Sequence, residues 1–221
     1  MHPMLEDIQL VAFDLDGTLI DSVPDLAAAV DAMLSERGLP AAGEARVRDW
    51  VGNGSHKLVE RALQWACLRE PAEAETDAAL ARFMDFYGQD PCARTRVYPG
   101  VVKALERLHE RGIIVTLITN KPAAFIDPLL RGLSLASFFQ LALGGDSLPE
   151  KKPHPAPLLH MAEHFGVAPA NALMVGDSRH DVEAGKRAGF RTLAVPYGYN
   201  HGEPVAESGP DGIVESLEEL V

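Results

Sequence analysis

The sequence predicts an α/β protein: a doubly wound parallel sheet with an α-helical domain inserted into it. Three observations carry this. After residue 94, short apolar runs alternate with helical stretches, the pattern of strands joined by right-handed crossovers. One stretch, residues 21–93, breaks the alternation and reads as helix throughout. Carboxylates, a hydroxyl and a lysine stand after the predicted strands, at the edge where open α/β sheets bind ligands.

Each element follows from local pattern. Residues 8–13 are an apolar run ending abruptly in Asp14-Leu15-Asp16-Gly17, which reads as a buried strand with two carboxylates at its carboxyl end. From Val23, residues Leu26, Ala29, Val30, Met33 and Leu34 recur at three- and four-residue spacing. Pro24 suits the first turn of that helix and Gly38 its stop. Further helices are predicted over 45–51, 55–67 and 72–87, separated by Gly52-Asn53-Gly54 and Pro71. Beyond Pro99-Gly100 the expected order is helix 101–111, strand 113–119, helix 122–131, strand 138–143 and helix 156–165. Strand 172–175, helix 181–188, strand 192–195 and a last helix 213–221 complete it. The expected organisation is a Rossmann-like catalytic core, residues 1–20 and 94–221, with a helical cap domain over 21–93.

Bulk properties narrow the function. A chain of 221 residues, 47% hydrophobic and 24% charged, accommodates one generous domain or a core with an insert. A formal net charge of −12 disfavours a nucleic-acid partner but suits a cation-binding pocket. Cys67 and Cys92 stand far apart with no His/Cys cluster and read as packed thiols. No run has the apolar length of a membrane span, and the N-terminus shows no signal-peptide pattern, so the expectation is a cytoplasmic protein with no membrane partner.

The strand ends carry the chemistry. The first gives Asp14 and Asp16, the second Thr119 and Asn120, and the fourth Asp177, with Ser178 and Asp181 just after. Lys152 precedes the helix at 156. In a parallel sheet these converge on one crevice. Oxygen ligands without Cys or His suit Mg²⁺, for which Asp14 and Asp177 are the natural pair. A carboxylate beside Mg²⁺ can attack a phosphoryl group and form an aspartyl-phosphate. Lys152 and Thr119 suit the equatorial phosphoryl oxygens, and a second carboxyl, Asp16, can shuttle the proton.

Asp14-Leu15-Asp16-Gly17-Thr18, Thr119-Asn120, Lys152-Pro153 and Gly176-Asp177-Ser178 with Asp181 resemble, in order and spacing, the four motifs of the haloacid dehalogenase superfamily. The resemblance covers the whole chain, cap included. It implies Asp14 as nucleophile and metal ligand, Asp16 as acid/base with its backbone carbonyl on Mg²⁺, and Asp177 on the metal. It further implies Thr119, Asn120 and Lys152 at the phosphate, with Asp181 and Ser178 in support. The presence of Asp16 favours phosphatase over dehalogenase chemistry.

Within the superfamily the chain is most similar to bacterial-type phosphoglycolate phosphatases. The segments carrying this are Asp21-Ser22-Val23-Pro24-Asp25-Leu26, Val51-Gly52-Asn53-Gly54, Thr119-Asn120-Lys121-Pro122 and Tyr197-Gly198-Tyr199-Asn200. Leu26 stands where sugar-phosphate mutases of the same cap class carry histidine. The implied substrate is 2-phosphoglycolate, a small phosphorylated metabolite. The cap turn Gly52, Asn53 and Gly54 would set specificity, its N–H groups facing a carboxylate.

Other readings are weaker. One is a phosphatase for an amino-sugar phosphate or pyrophosphate. Another is a receiver-like signalling module, which also phosphorylates an aspartate on such a sheet but carries no long helical insertion. His56, Lys57 and Arg61 read foremost as a solvated helix face, and Asp177 could also cap the helix after it.

Overall fold

The structure, a computed structural model, describes residues 2–221. Strand β1 (Leu10–Phe13) leads to a two-residue strand, β2 (Ile20–Asp21), and then to four helices. These are α1 (Val23–Glu36), α2 (Gly43–Trp50), α3 (Ser55–Cys67) and α4 (Glu73–Gln89), which pack on one another. Strand β3 (Arg96–Val97) returns the chain to α5 (Val101–Glu110), β4 (Ile114–Ile118), α6 (Ile126–Gly132) and β5 (Leu141–Leu143). The remainder is α7 (Ala156–Phe165), β6 (Ala172–Gly176), α8 (Arg179–Ala188), β7 (Arg191–Ala194) and β8 (Gly212–Ile213).

The main sheet runs β5-β4-β1-β6-β7-β8, with every pairing parallel. Strand order grows outward from β1 to β5, then reverses at β6. That reversal opens the crevice at the carboxyl ends of β1 and β6. Phe13 pairs with both Leu117 and Val175, so Asp14, Thr119 and Asp177 leave the sheet at nearly one level. Although β1 is apolar at every position, its side chains alternate: Val11 and Phe13 join the core on one face, Leu10 and Ala12 that on the other.

Three sequence expectations are corrected. Residues 136–138 form a 3₁₀ turn rather than the start of a strand, because Leu135 turns fully into the core and prolongs the end of α6. The helix expected from residue 122 begins as a 3₁₀ turn, Ala123–Phe125, before α6. The helix expected over 213–221 is absent. Gly212 and Ile213 instead extend the sheet beside β7, and only a 3₁₀ turn, Leu217–Leu220, follows. The β-branched pair Ile213-Val214 finds an open sheet edge, which outweighs a marginal terminal helix.

The sequence also missed β2 and β3. They pair antiparallel, Ile20 with Val97 and Asp21 with Arg96, where the chain leaves the sheet and returns to it. Asp25, 5% exposed, stitches the two crossings together. Its carboxylate accepts from the N–H groups of Arg94 and Thr95 and from the Thr95 hydroxyl.

Candidate active site

Three carboxylates and one ammonium meet at the sheet's carboxyl edge. Oxygens of Asp14, Asp177 and Asp181 lie within 4.8 Å of one another. Lys152, 3% exposed, reaches Asp14 Oδ1 at 2.8 Å and Asp181 Oδ1 at 2.6 Å. The second Asp181 oxygen accepts from Ser178 N and Ser178 Oγ, tying the first turn of α8 to its own N-cap. Ser178, not Asp177, is therefore the helix cap. Asp177 is held by Thr18 Oγ1 at 2.9 Å and by the Tyr199 N–H at 2.7 Å.

This geometry depends on close backbone approach. Gly17 has φ +89°, and a Cβ there would fall 2.3 Å from Asp177 Oδ2. A Cβ at Gly198 would fall 2.2 Å from that of Asp177. The loop after β1 and the segment after β7 thus close on Asp177 from two sides.

One ammonium does not compensate three buried carboxylates. Burial pushes the Asp14 carboxyl up to about 7; Lys152 opposes this and Asp181 and Asp16 add to it. Asp177 is raised well above the carboxylate range by burial, then by Asp14 and Asp181. Burial acts against the Lys152 ammonium too, but Asp14 and Asp181 outweigh it and hold its pKa above the ordinary lysine value. The deficit of positive charge and the all-oxygen donor set fit a hard divalent cation. Asp14, Asp177 and Asp181 offer the oxygens for it, and Asp181 is tied through one of its own to Lys152 and through the other to Ser178.

Asp16 stands apart from this cluster. Its carboxylate accepts from Lys121 Nζ at 3.0 and 3.2 Å and from Ser22 Oγ at 2.5 Å. Sequence reasoning gave Lys121 no role, although it stands directly after the Thr119-Asn120 pair. Its ammonium sits 4.7 Å from the ring centroid of Tyr87 on α4. Burial opposes that charge, but the adjacent Asp16 more than offsets it and raises the Lys121 pKa.

Asp14, Asp16, Thr119, Asn120 and Lys121 line one pocket, closed from the helical side by Leu26, Val51, Gly52, Gly54, Ser55 and Leu58. Thr119 Oγ1 accepts from the Lys121 N–H. The Asn120 amide donates to the carbonyls of Gly52 and Lys152, both at 3.0 Å. Two carbonyl acceptors fix its orientation, so Asn120 joins the core to the loop before α3.

Gly52 and Gly54 face the pocket as expected for a cap turn, but Asn53 is not among its lining residues. Asn53 Nδ2 lies 2.7 Å from His180 Nε2, and the Asn53 carbonyl accepts from Lys151 Nζ at 3.0 Å. His201 Nδ1 donates to the Asp49 carbonyl at 2.9 Å. Burial lowers the pKa of His180 to about 4 and depresses that of His201 as well. Both are neutral polar contacts of a clasp over loop 51–54. His56 and Lys57 face outward against Asp77 and Glu60, while Arg61 donates to the Trp50 carbonyl.

Comparison with known proteins agrees with this architecture. A family model described as haloacid dehalogenase-like hydrolase matches residues 8–189. Phosphoglycolate phosphatase 1 of Pseudomonas aeruginosa is 51% identical over 214 residues, covering 96% of this chain and 78% of that protein. The phosphoglycolate phosphatase of Nitrosococcus oceani is 46% identical over 217 residues, covering 98% and 96%. The crystal structure of a predicted phosphoglycolate phosphatase from Haemophilus somnus superposes with a TM-score of 0.93 at 40% identity, covering 97% of this chain and 96% of that one. With its strand order, its carboxylate–lysine cluster and these relatives, the chain belongs to the haloacid dehalogenase-like hydrolases.

Proposed function

We propose that the protein hydrolyses 2-phosphoglycolate to glycolate and phosphate through an aspartyl-phosphate on Asp14. The observation that carries the mechanism is the unequal pairing of two carboxylates on one pocket: Asp14 on Lys152, Asp16 on Lys121 and Ser22. The relatives' shared activity supports the substrate. Residues 1–20 and 94–221 act as the catalytic core, and residues 21–93 as a cap that selects small substrates. A cytoplasmic setting is in keeping with the free thiols of Cys67 and Cys92.

The roles follow from position. Lys152 fixes the rotation of the Asp14 carboxylate and places positive charge beside it. Thr119, at the end of β4, offers its hydroxyl to the phosphoryl oxygens, and Asn120 holds the cap loop against the core. One Asp14 oxygen bonds to phosphorus as the bond to the glycolate oxygen breaks, and that oxygen takes a proton from Asp16. Asp16 then takes a proton from water, whose oxygen bonds to phosphorus as the Asp14–phosphorus bond breaks. A bound Mg²⁺, held by Asp14, Asp177 and the Asp16 backbone carbonyl, would supply the positive charge the carboxylates lack against an anionic phosphoryl group. Asp181 and Ser178 hold Lys152 in place. The apolar wall of Leu26, Val51 and Leu58 on the helical side suits a small substrate and limits the access of water to it.

A panel of phosphomonoesters tests the reading. 2-Phosphoglycolate is expected to give the highest kcat/KM, by about 100-fold or more over an amino-sugar phosphate or pyrophosphate. A flat profile would remove the substrate assignment. Asp14→Asn is expected to lower kcat by at least about 10⁴-fold with an unchanged circular-dichroism spectrum; retained turnover would remove the nucleophile.

A further inference from the structure

We propose that Lys121, seated against the ring of Tyr87, is the positioning residue of the acid/base carboxylate, and that it ties the orientation of Asp16 to the place of helix α4. The inference rests on the reading of Asp16 as the proton carrier and adds two residues to it.

The ammonium of Lys121 is fully engaged. It carries three donors and no acceptor. Asp16 Oδ1 and Oδ2 lie 3.0 and 3.2 Å away, so both carboxylate oxygens are taken by one group. The Tyr87 ring lies 4.7 Å away on another side. The Lys121 side chain is 3% exposed and that of Asp16 11%. A cation this enclosed holds its partner in one orientation far better than a surface lysine does.

The backbone of Lys121 is equally fixed. Its N–H donates to Thr119 Oγ1, its carbonyl accepts from Gly145 N at 2.8 Å, and Pro122 follows. Tyr87 is held in turn, with its ring edge-on to Phe125 at 4.8 Å and stacked near Phe83 at 5.7 Å. The Tyr87 hydroxyl is buried and makes no well-formed hydrogen bond among the described residues, while the ring centroid lies 4.7 Å from the Lys121 ammonium. Ser22, just before α1, holds the same carboxylate from the other chain crossing. Asp16 is thereby gripped from the end of β4 and from both ends of the inserted helical segment.

The chemistry gives this grip a consequence that can be measured. In the first step the Asp14–phosphorus bond forms, the phosphorus–oxygen bond to the leaving group breaks, and the Asp16 proton moves to that oxygen. An alkyl leaving group needs that proton; a nitrophenolate departs without it. Misplacing Asp16 should therefore hurt alkyl esters selectively.

The test compares kcat/KM, which reports formation of the phosphoenzyme, on 2-phosphoglycolate, ethyl phosphate and p-nitrophenyl phosphate. Lys121→Met is expected to lower it about 100-fold on both alkyl esters and less than about 10-fold on the aryl ester. Tyr87→Leu is expected to give the same order of losses at about 3- to 10-fold, and Tyr87→Phe to stay within about twofold of wild type. Equal losses on all three esters would overturn the proposal, as would a loss on 2-phosphoglycolate that spares ethyl phosphate, the mark of a lysine reading the substrate carboxylate. Asp16→Asn separates the two levels of inference. If it shows the alkyl-selective loss and neither Lys121→Met nor Tyr87→Leu does, the proposal falls and the acid/base reading stands. If Asp16→Asn does not show it, the acid/base reading falls and takes the proposal with it. Should Lys121→Met fail to fold, Tyr87→Leu against Tyr87→Phe carries the same decision.

Discussion

Asp14 and Asp16 are separated only by Leu15 but find different partners, because both lie beyond the end of β1, where the chain leaves the strand and turns. Asp14 turns to Lys152 and the carboxylate cluster; Asp16 turns to Lys121 and Ser22. The turn that allows this is Gly17. Its φ of +89° and the 2.3 Å separation a Cβ would have from Asp177 leave no room for alanine. Gly17→Ala should cost about 1–3 kcal/mol from backbone strain, with further loss from the overlap. The expected outcome is a melting temperature lower by several degrees and activity lost well beyond the loss in stability, because Asp177 is displaced. A variant with wild-type melting and turnover would contradict that role. Both motif aspartates and Gly17 were legible in the sequence, since they are neighbours along the chain. Lys121 was not, although its letter sits in a quoted motif: its partner lies 105 residues away, and only the pairing of β4 with β1 joins them.

Among the elements, strands and long helices were the most legible and the two chain crossings the least. Helices α1, α3 and α7 start or end where the apolar periodicity and the breakers place them. The pair β2/β3 has two residues per strand and no hydrophobic period to read. What holds it is Asp25, which the sequence shows as an ordinary first-turn acid on α1. Removing its carboxylate strands the N–H groups of Arg94 and Thr95 and the Thr95 hydroxyl. Asp25→Ala should therefore cost about 2–4 kcal/mol, several times the price of losing a surface acid. Chemical denaturation checks this through a lower midpoint; a change under about 0.5 kcal/mol would show that the crossings hold without it. The loop 51–54 teaches a similar lesson. Its glycines face the pocket, but its asparagine serves the clasp with His180 and Lys151, a pairing across elements that no local pattern encodes.

At the scale of the whole molecule, the uncompensated carboxylates predict a stability that depends on pH and on added divalent cation. Burial raises Asp14 from 3.8 in its ordinary state to about 7 in the folded protein, and raises Asp177 in the same direction. Between those limits the folded state binds more protons than the unfolded state, so the slope of stability with pH is negative. The metal-free protein should lose stability as pH rises from about 4 to about 7. A divalent cation should reverse the loss at pH 7.5 and have little effect at pH 5, where the carboxyl groups hold protons. Melting curves with EDTA and with Mg²⁺ across this range check both statements. Melting temperatures that rise with pH in EDTA would show that Lys152 already compensates the cluster.

The sequence by itself determined the parallel α/β core, the place of the helical insertion and the residues at the strand ends. Each of these is written in local order: an apolar run, a turn residue, a carboxylate just beyond. The tertiary structure decided which of those residues touch. It set Lys152 between Asp14 and Asp181, closed Gly17 and Gly198 on Asp177, and seated Lys121 between Asp16 and Tyr87. The physical reason is that buried charge must find a partner, and partners are allotted by strand order and backbone approach rather than by distance along the chain.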